Sequence, residues 1–120
     1  MSNTSELKNA IEIAKENLKK ATEEYYAEVI KGNYTKDLSP YAGKKLSSIK
    51  VIVDNDKIET FCDDVLDFLK VTADGYLHIS DYNWGLLNYD SKKKTYIYSY
   101  HYTETQWNIK GFFDIEVDDD

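Results

Sequence analysis

Arginine is absent from this sequence, and all 15 basic residues are lysine. The planar guanidinium of arginine is the usual group for bidentate recognition of phosphate, carboxylate and guanine. Its absence therefore argues against a nucleotide-handling enzyme and against a DNA-binding protein that reads base sequence. A composition rich in lysine, asparagine and tyrosine is also what an A+T-rich genome encodes.

Cysteine, proline and long apolar runs are also scarce. The single cysteine, Cys62, cannot form a disulfide within the chain, and there is one proline. Charged residues interrupt the first stretch of the chain every few positions, which indicates neither a signal peptide nor a membrane span. With 120 residues, of which 42% are hydrophobic, the chain predicts one globular domain, 1–120, in a reducing cytosol.

The sequence also lacks the motifs that carry common chemistries. It contains no nucleophile elbow, P-loop, dinucleotide fingerprint or HExxH pattern. His78 and His101 lie outside metal-ligand spacing of each other and of Cys62, and the acidic segment 81–85 lacks the later ligands of an EF-hand loop. We therefore predict a non-enzymatic protein without a metal site or cofactor.

The negative charge is concentrated in one half of the chain. The net charge is −7; residues 1–53 carry nine lysines and seven acids, whereas residues 54–120 carry six lysines and 15 acids. The folded protein is therefore predicted to have an acidic side that repels nucleic acid and anionic membranes and attracts basic proteins. The alternative is that the acidity serves solubility alone.

Residues 5–31 predict one long helix. Its apolar residues recur at alternating spacings of four and three, and Val29 closes this narrow stripe at 3.6 periodicity: Leu7, Ile11, Ala14, Leu18, Ala21, Tyr25 and Val29. Gly32 is a conventional helix stop. A helix of about 40 Å is longer than one sheet requires. It either projects and pairs with a second copy or a partner, breaks near Asn17 or Thr22, or simply packs by its stripe.

The segment that follows predicts a loop, a strand and a second helix. Residues 32–45 contain the proline and two glycines of a loop, and residues 46–53 are rich in β-branched residues, as expected of a strand. Beyond the acidic turn at 54–56, apolar residues recur at helical spacing: Ile58, Phe61, Cys62, Val65, Phe68 and Leu69. A hairpin strand over 57–61 is the alternative, and we favour the helix, capped by Asp56.

Strands dominate the rest of the sequence. Short strands are predicted at 76–82 and 86–89, and a two-stranded hairpin at 95–117. The first strand of the hairpin carries Tyr96, Tyr98, Tyr100 and Tyr102 on one face, and the second carries the apolar row Trp107, Ile109, Phe113, Ile115 and Val117, with Gly111 in the missing place. The polar residues 103–106 are predicted to form the turn between the two strands.

Together these elements predict an α+β fold. A mostly antiparallel sheet of four to five strands carries the long N-terminal helix and the second, shorter helix packed on it. Residues 46–117 form a β-α-β meander, and the acidic tail 118–120 is predicted to fray.

The tyrosine row has two interpretations. Tyrosine gives a large, stiff contact area at low entropic cost and is enriched at protein interfaces, so an exposed row predicts a protein-binding patch. A buried row is a cross-strand ladder or part of the core. The negative charge of this half of the chain opposes a stacking platform for single-stranded nucleic acid, because such platforms lie in electropositive grooves.

The composition favours a binding protein. In size and acidity the chain resembles small anti-defence proteins of phages and mobile elements, including anti-CRISPR and anti-restriction inhibitors. That resemblance implies a cytoplasmic inhibitor that acts as a DNA mimic on the basic groove of a nuclease or another defence enzyme. The candidate partner-binding residues are Asp54, Asp56, Asp63, Asp64, Asp67, Tyr96, Tyr98, Tyr100, Tyr102, Asp114, Glu116 and Asp118.

Two other functions are consistent with the sequence. An immunity protein that neutralises a bacterial toxin is equally small and acidic, because it too blocks a basic active site. A structural module that oligomerises through the stripe of the N-terminal helix is the third interpretation, so that the protein is a monomer or a homodimer. All three interpretations predict a protein partner, and neither nucleic acid nor membrane as a ligand.

Overall fold

The computed structural model describes residues 3–62, 68–81 and 85–118. The chain divides into two compact units, Met1–Asn33 and Tyr34–Asp120. In chain order its elements are α1 (Asn3–Ile30), a 3-10 helix (Ser39–Tyr41), β1 (Leu46–Val53), a 3-10 turn (Asp54–Asp56), β2 (Lys57–Cys62), β3 (Phe68–Val71), β4 (Leu77–Asp81), β5 (Gly85–Asp90), β6 (Thr95–Tyr100), β7 (Thr103–Trp107) and β8 (Gly111–Val117).

The N-terminal unit contains one unbroken helix. α1 has 28 residues, which corresponds to a length of about 42 Å. It runs through Asn17 and Thr22, so the predicted helix over 5–31 is confirmed and the broken alternative is wrong. It ends as predicted before Gly32, whose φ of 140° leaves the helical region and whose N–H donates to the Val29 carbonyl at 3.0 Å.

The second unit contains two antiparallel sheets. One has three strands in the order β2-β1-β8, and the other has five in the order β3-β4-β5-β6-β7. Every strand pairs antiparallel with its neighbours. The α+β class and the antiparallel pairing are therefore confirmed, but the predicted single sheet of four to five strands is wrong, because the described residues form eight strands in two sheets.

Buried residues of both sheets form one hydrophobic core in the second unit. Its members are Leu38, Leu46, Ile49, Val51, Phe61, Leu69, Val71, Leu77, Ile79, Leu87, Tyr96 and Phe112. Alternate residues supply this core, such as Ile49 and Val51 of β1, because successive side chains of a pleated strand point to opposite faces. Tyr96 belongs to the core, so the core fixes the start of the tyrosine row on β6.

The prediction of a second helix after the 54–56 turn is wrong for the described residues. β2 and β3 occupy those positions instead. β2 forms a hairpin with β1, so the alternative interpretation is right. Asn55 and Asp56 have left-handed φ angles of 65° and 60°, which turn the chain back instead of starting a helix. The apolar positions of β2 are too few for periodicity to separate helix from strand. Residues 63–67 lie outside the described residues.

The C-terminal hairpin also differs from its prediction. β6 carries the tyrosines, but the chain turns at His101 and Tyr102, and β6 pairs with β7, which contains the residues 103–106 predicted to be the turn. β8 belongs to the other sheet and pairs with β1. Neither His101 nor Tyr102 is a typical turn residue, whereas Thr103 and Thr105 suit a strand, which is why local patterns misplaced the turn.

The loop before β1 is fastened to β8. Thr35 exchanges two backbone hydrogen bonds with Phe112, of 2.9 and 2.7 Å, and Leu38 is buried in the core. The Tyr34 ring lies over Gly111, where any side chain would overlap it, which explains the glycine in the apolar row. This part of the predicted loop therefore packs against β8 and the core.

Candidate protein-binding surface

Exposure of the four predicted tyrosines increases along β6 and into the turn. Tyr96 is buried, with 8% of its surface exposed, and Tyr98 is half-buried. Tyr100 is 40% exposed and Tyr102 is fully exposed. Each interpretation of the row is therefore right for part of it. The first tyrosine is a core residue, and the last two face solvent.

Tyr96 fixes the row in the core. Its hydroxyl accepts a hydrogen bond from the Leu77 N–H at 3.0 Å, and its ring meets Phe112 edge-on at 6.2 Å. Burial raises the pKa of Tyr96 to about 12, because the phenolate is poorly solvated there. The phenol of Tyr96 is therefore neutral and positioned by the core throughout the physiological pH range.

Tyr100 is the outer ring of a stack that starts at Trp107. The Trp107 and Tyr98 rings lie 5.0 Å apart and 24° from parallel, and Tyr98 and Tyr100 are nearly parallel at 6.4 Å. His101 meets Tyr100 edge-on at 4.1 Å. We call Tyr100, His101 and Tyr102 the aromatic tip. The stack holds the Tyr100 ring of the tip against other rings, which lowers the entropic cost of a contact at Tyr100.

The turn that carries the aromatic tip is strained. It has two residues, and His101 adopts a φ of 55°, in the left-handed region. The Thr103 hydroxyl closes the turn by donating to the Tyr100 carbonyl at 2.8 Å. A non-glycine residue in this region costs on the order of 1 kcal/mol, and glycine is the usual residue at the first position of a two-residue hairpin turn in which only that position has a positive φ. Lys94, before β6, has a similar φ of 56°, so the exposed aromatic side chains are what distinguish the turn at His101.

A second tyrosine cluster lies beside the loop before β1, and sequence patterns did not single it out. Tyr76 and Tyr89 stack face to face at 3.8 Å, 1° from parallel, and Tyr96 meets Tyr89 edge-on at 5.3 Å. The register of β5 and β6, which places Tyr89 opposite Tyr96, is the signal that would have revealed it. The cluster borders a groove of about 390 Å³. The charged residues that line this groove are Lys36, Asp37, Asp74 and Lys110.

Three of the predicted carboxylates have a lysine partner. The pairs are Asp56 with Lys110 at 2.9 Å, Asp114 with Lys50 at 3.2 Å and Asp118 with Lys45 at 3.8 Å. The hydrogen bond to Asp56, followed by the Asp56 charge, raises the pKa of Lys110, which favours the charged ammonium group. Such pairs compensate the carboxylate locally and reduce the negative potential that it presents at a distance.

The remaining carboxylates of the candidate set divide into two groups. Asp54 and Glu116 are exposed, and neither has an ion pair with a described residue. Asp54 accepts a hydrogen bond from the Asn108 amide at 3.0 Å, which leaves its charge uncompensated. Asp63, Asp64 and Asp67 lie outside the described residues. Among the described candidates, the uncompensated charge is therefore at Asp54 and Glu116.

The histidines and the cysteine lie in different elements. His78 lies on β4 opposite Lys70, and burial, followed by the Lys70 charge, lowers its pKa. His101 belongs to the aromatic tip, and Cys62 is half-buried at the end of β2. Within residues 3–62, 68–81 and 85–118, no three His, Cys, Asp or Glu side chains lie where they could hold a metal ion together.

Comparisons with known proteins give no family assignment. No protein-family model, curated protein or solved structure matches the chain. In the described part of the chain, no helix has the length and apolar content needed to cross a membrane. The chemistry of the aromatic tip and of the acidic residues is therefore the basis for assigning a function.

Proposed function

We propose that the protein is an acidic inhibitor that binds a basic surface of a nucleic-acid-processing enzyme through its aromatic tip and its exposed carboxylates. The observation that carries this proposal is the exposure of Tyr100, at the end of β6, and of His101 and Tyr102, in the turn that follows it. Exposed aromatic side chains on a hairpin are typical anchors of protein interfaces.

Charge favours a basic protein over nucleic acid as the partner. Residues 54–120 have a net charge of −9, and the exposed Glu104 follows the tip on β7. Tyrosine rings attract lysine and arginine side chains through their electron-rich faces, and a neighbouring carboxylate adds to this attraction. A phosphate backbone meets repulsion from the same surface.

An inhibitor of this type acts by occupying the site of the nucleic acid. A groove that binds DNA or RNA is lined with lysine and arginine, so an acidic surface with aromatic anchors competes for it. Asp54 and Glu116 supply uncompensated charge, and the tip supplies the anchor. The proposed function is that of the anti-CRISPR and anti-restriction inhibitors of phages and mobile elements. Such an inhibitor acts in the cytoplasm.

The test compares the tip with a matched turn on the same sheet. Tyr100→Ser with Tyr102→Ser removes the two exposed rings, whereas Lys92→Ser with Lys93→Ser changes the exposed turn between β5 and β6. We expect the tip variant to bind the target about tenfold more weakly or worse, because interface tyrosines commonly contribute about 2 kcal/mol. The turn variant, which loses two positive charges, binds the basic target at least as tightly as the unchanged chain.

The target is first captured from a bacterial lysate with the unchanged chain, and both variants are then titrated against the purified enzyme. Inhibition of the enzyme's nucleic-acid binding or cleavage is measured in the same titrations. Equal affinity of the tip variant and the unchanged chain contradicts the proposal. So does a captured enzyme whose activity does not fall when the protein is bound.

A further inference from the structure

The apolar stripe of α1 is exposed along its length. Residues 3–21 are all exposed, including Leu7 by 64% and Leu18 by 67%, and Tyr25 is 44% exposed. Soluble monomers rarely leave a contiguous apolar patch of this extent in water. We define the heptad seam as Leu7, Ile11, Ala14, Leu18, Ala21 and Tyr25. The heptad seam contains no residue of the aromatic tip, and the proposed function does not explain it.

The seam has the spacing of a coiled coil. Alternating steps of four and three residues repeat every 3.5 residues on average, which keeps the seam in line when two helices wind around each other. In heptad notation Ile11, Leu18 and Tyr25 are a positions, and Leu7, Ala14 and Ala21 are d positions. Because α1 is unbroken, the seam is continuous over about 27 Å.

We propose that α1 pairs with α1 of a second copy in an antiparallel coiled coil, with the twofold axis near Glu16. In this register every layer joins an a position to a d position of the second copy. The layers are Leu7 with Tyr25, Ile11 with Ala21 and Ala14 with Leu18, each formed twice by the symmetry. Each alanine then lies opposite a large side chain, which is how alternating residue sizes fill a core.

The antiparallel direction is favoured because a parallel pair fills its core poorly. In a parallel dimer each residue meets its own copy, so Ala14 meets Ala14 and Ala21 meets Ala21 in two thin layers. The residues 34–120, with a net charge of −6, then leave the helix pair at the same end. In the antiparallel pair the two acidic segments leave at opposite ends, and the helix dipoles also oppose each other.

The flanks of the seam are compatible with the same axis. Asn17 of each copy lies beside the axis, and its amide can both donate to and accept from its symmetry mate. On the other flank Lys15 approaches Lys15 of the second copy, and Glu12, three residues before each Lys15, supplies a compensating charge. A second copy of this chain therefore matches the heptad seam in every layer.

The test uses an apolar residue of α1 outside the seam as its control. Ile11→Glu with Leu18→Glu places two charges in the seam, whereas Ile13→Glu changes a residue that is 62% exposed on another face of the same helix. We expect sedimentation of the full chain to show a dimer that dissociates on dilution. The seam variant sediments as a monomer, and the Ile13 variant sediments like the unchanged chain. Circular dichroism confirms that both variants retain the fold.

Cross-linking then determines the direction of the pair. In a Cys62→Ser background, Leu7→Cys and Tyr25→Cys chains are prepared separately and mixed under oxidation. The antiparallel pair predicts a disulfide between the two different chains and none within either single preparation, because the two positions are about 27 Å apart along the helix. A disulfide within the Leu7→Cys preparation alone overturns the antiparallel arrangement.

Two sedimentation results overturn the proposal altogether. One is a monomer of the unchanged chain up to the highest soluble concentration. The other is equal dissociation by the seam variant and the Ile13 variant, which would indicate a general effect of added charge. Binding of the monomeric chain to vesicles of anionic lipid through the seam likewise assigns the surface to another occupant and overturns the proposal.

Discussion

Tyr96 and Tyr102 belong to one predicted row, yet the first is buried and the second is fully exposed. The difference arises because β6 leaves the core toward its C-terminal end, so that identical side chains meet different surroundings. The Tyr96 hydroxyl accepts a hydrogen bond from the Leu77 N–H, and Tyr102 has its ring in solvent. The same residue type therefore stabilises the fold at one end of the row and is available for contacts at the other.

The buried Tyr96 phenol predicts a loss of stability in alkali. Its pKa is raised from 10.0 to about 12, so the unfolded chain releases this proton at a lower pH than the folded protein. Stability from this group is complete below about pH 10 and falls as pH rises toward about 12, by on the order of 2–3 kcal/mol. Urea unfolding of the unchanged chain across this pH window measures the slope.

The Tyr96→Phe variant is the control for this slope. It loses on the order of 1 kcal/mol at neutral pH, because the buried Leu77 N–H no longer has its acceptor, but its stability falls less steeply in alkali. The two proteins differ in no other ionisable group, so the difference between their pH profiles is assigned to Tyr96. Parallel pH profiles for the two proteins contradict the assignment of the slope to Tyr96.

At the scale of the element, the β6–β7 hairpin combines a strained turn with exposed rings. His101→Asn should relieve part of the strain, because asparagine tolerates the left-handed region better than histidine. We expect the free energy of unfolding to rise by about 0.5 kcal/mol and affinity for the target to fall, since one ring of the tip is lost. Chemical denaturation and binding titrations of the same variant measure both changes.

A variant that is less stable shows that the left-handed φ of His101 is not a source of strain. A variant that is more stable and binds equally well shows instead that the histidine ring has no part in the interface. The two measurements therefore separate the cost of the turn from the role of its side chain.

Local patterns predicted the elements that are defined by their own residues. α1 has a sustained periodicity and a glycine stop, and β1 has a β-branched run, so both were placed correctly. β2 and β7 were misassigned because their identity depends on distant pairing: β2 on β1 across a left-handed turn, and β7 on β6 across a turn of histidine and tyrosine. The pairing of β8 with β1, far apart in the chain, has no local signal.

The candidate site could likewise be predicted from the sequence only in part. The tyrosine row and the acidic residues are visible in the sequence, but the gradient of burial along the row depends on where the core lies. The stacking of Tyr76 on Tyr89 depends on strand register and loop position. Asp114 forms an ion pair with Lys50, which is far from it in the sequence. The negative charge that the surface presents could therefore not be counted from composition.

At the scale of the whole molecule, the distribution of uncompensated charge predicts the salt dependence of binding. Asp54→Asn with Glu116→Gln removes two exposed carboxylates that have no described lysine partner. We expect weaker binding to the target and a flatter dependence on ionic strength, with thermal stability nearly unchanged. Binding titrations over a range of salt concentrations measure the effect.

The matched control changes the net charge equally but on the helix. Glu16→Gln with Glu23→Gln neutralises two exposed carboxylates of α1, outside the heptad seam. It should leave both the affinity and the salt dependence close to those of the unchanged chain. An equal effect of the two double variants attributes the salt dependence to net charge alone and contradicts phosphate mimicry by Asp54 and Glu116.

The position of β7 also has a consequence for how the protein behaves when concentrated. Among the described strands it pairs only with β6, so one side of its backbone is open to a strand of another molecule. Open edges of this type template edge-to-edge association and fibril growth unless charge or polarity opposes it. The second residue of β7 is Glu104, and stacked copies of this strand would bring identical carboxylates together. The strand that follows the aromatic tip therefore carries a charge that opposes edge-to-edge association.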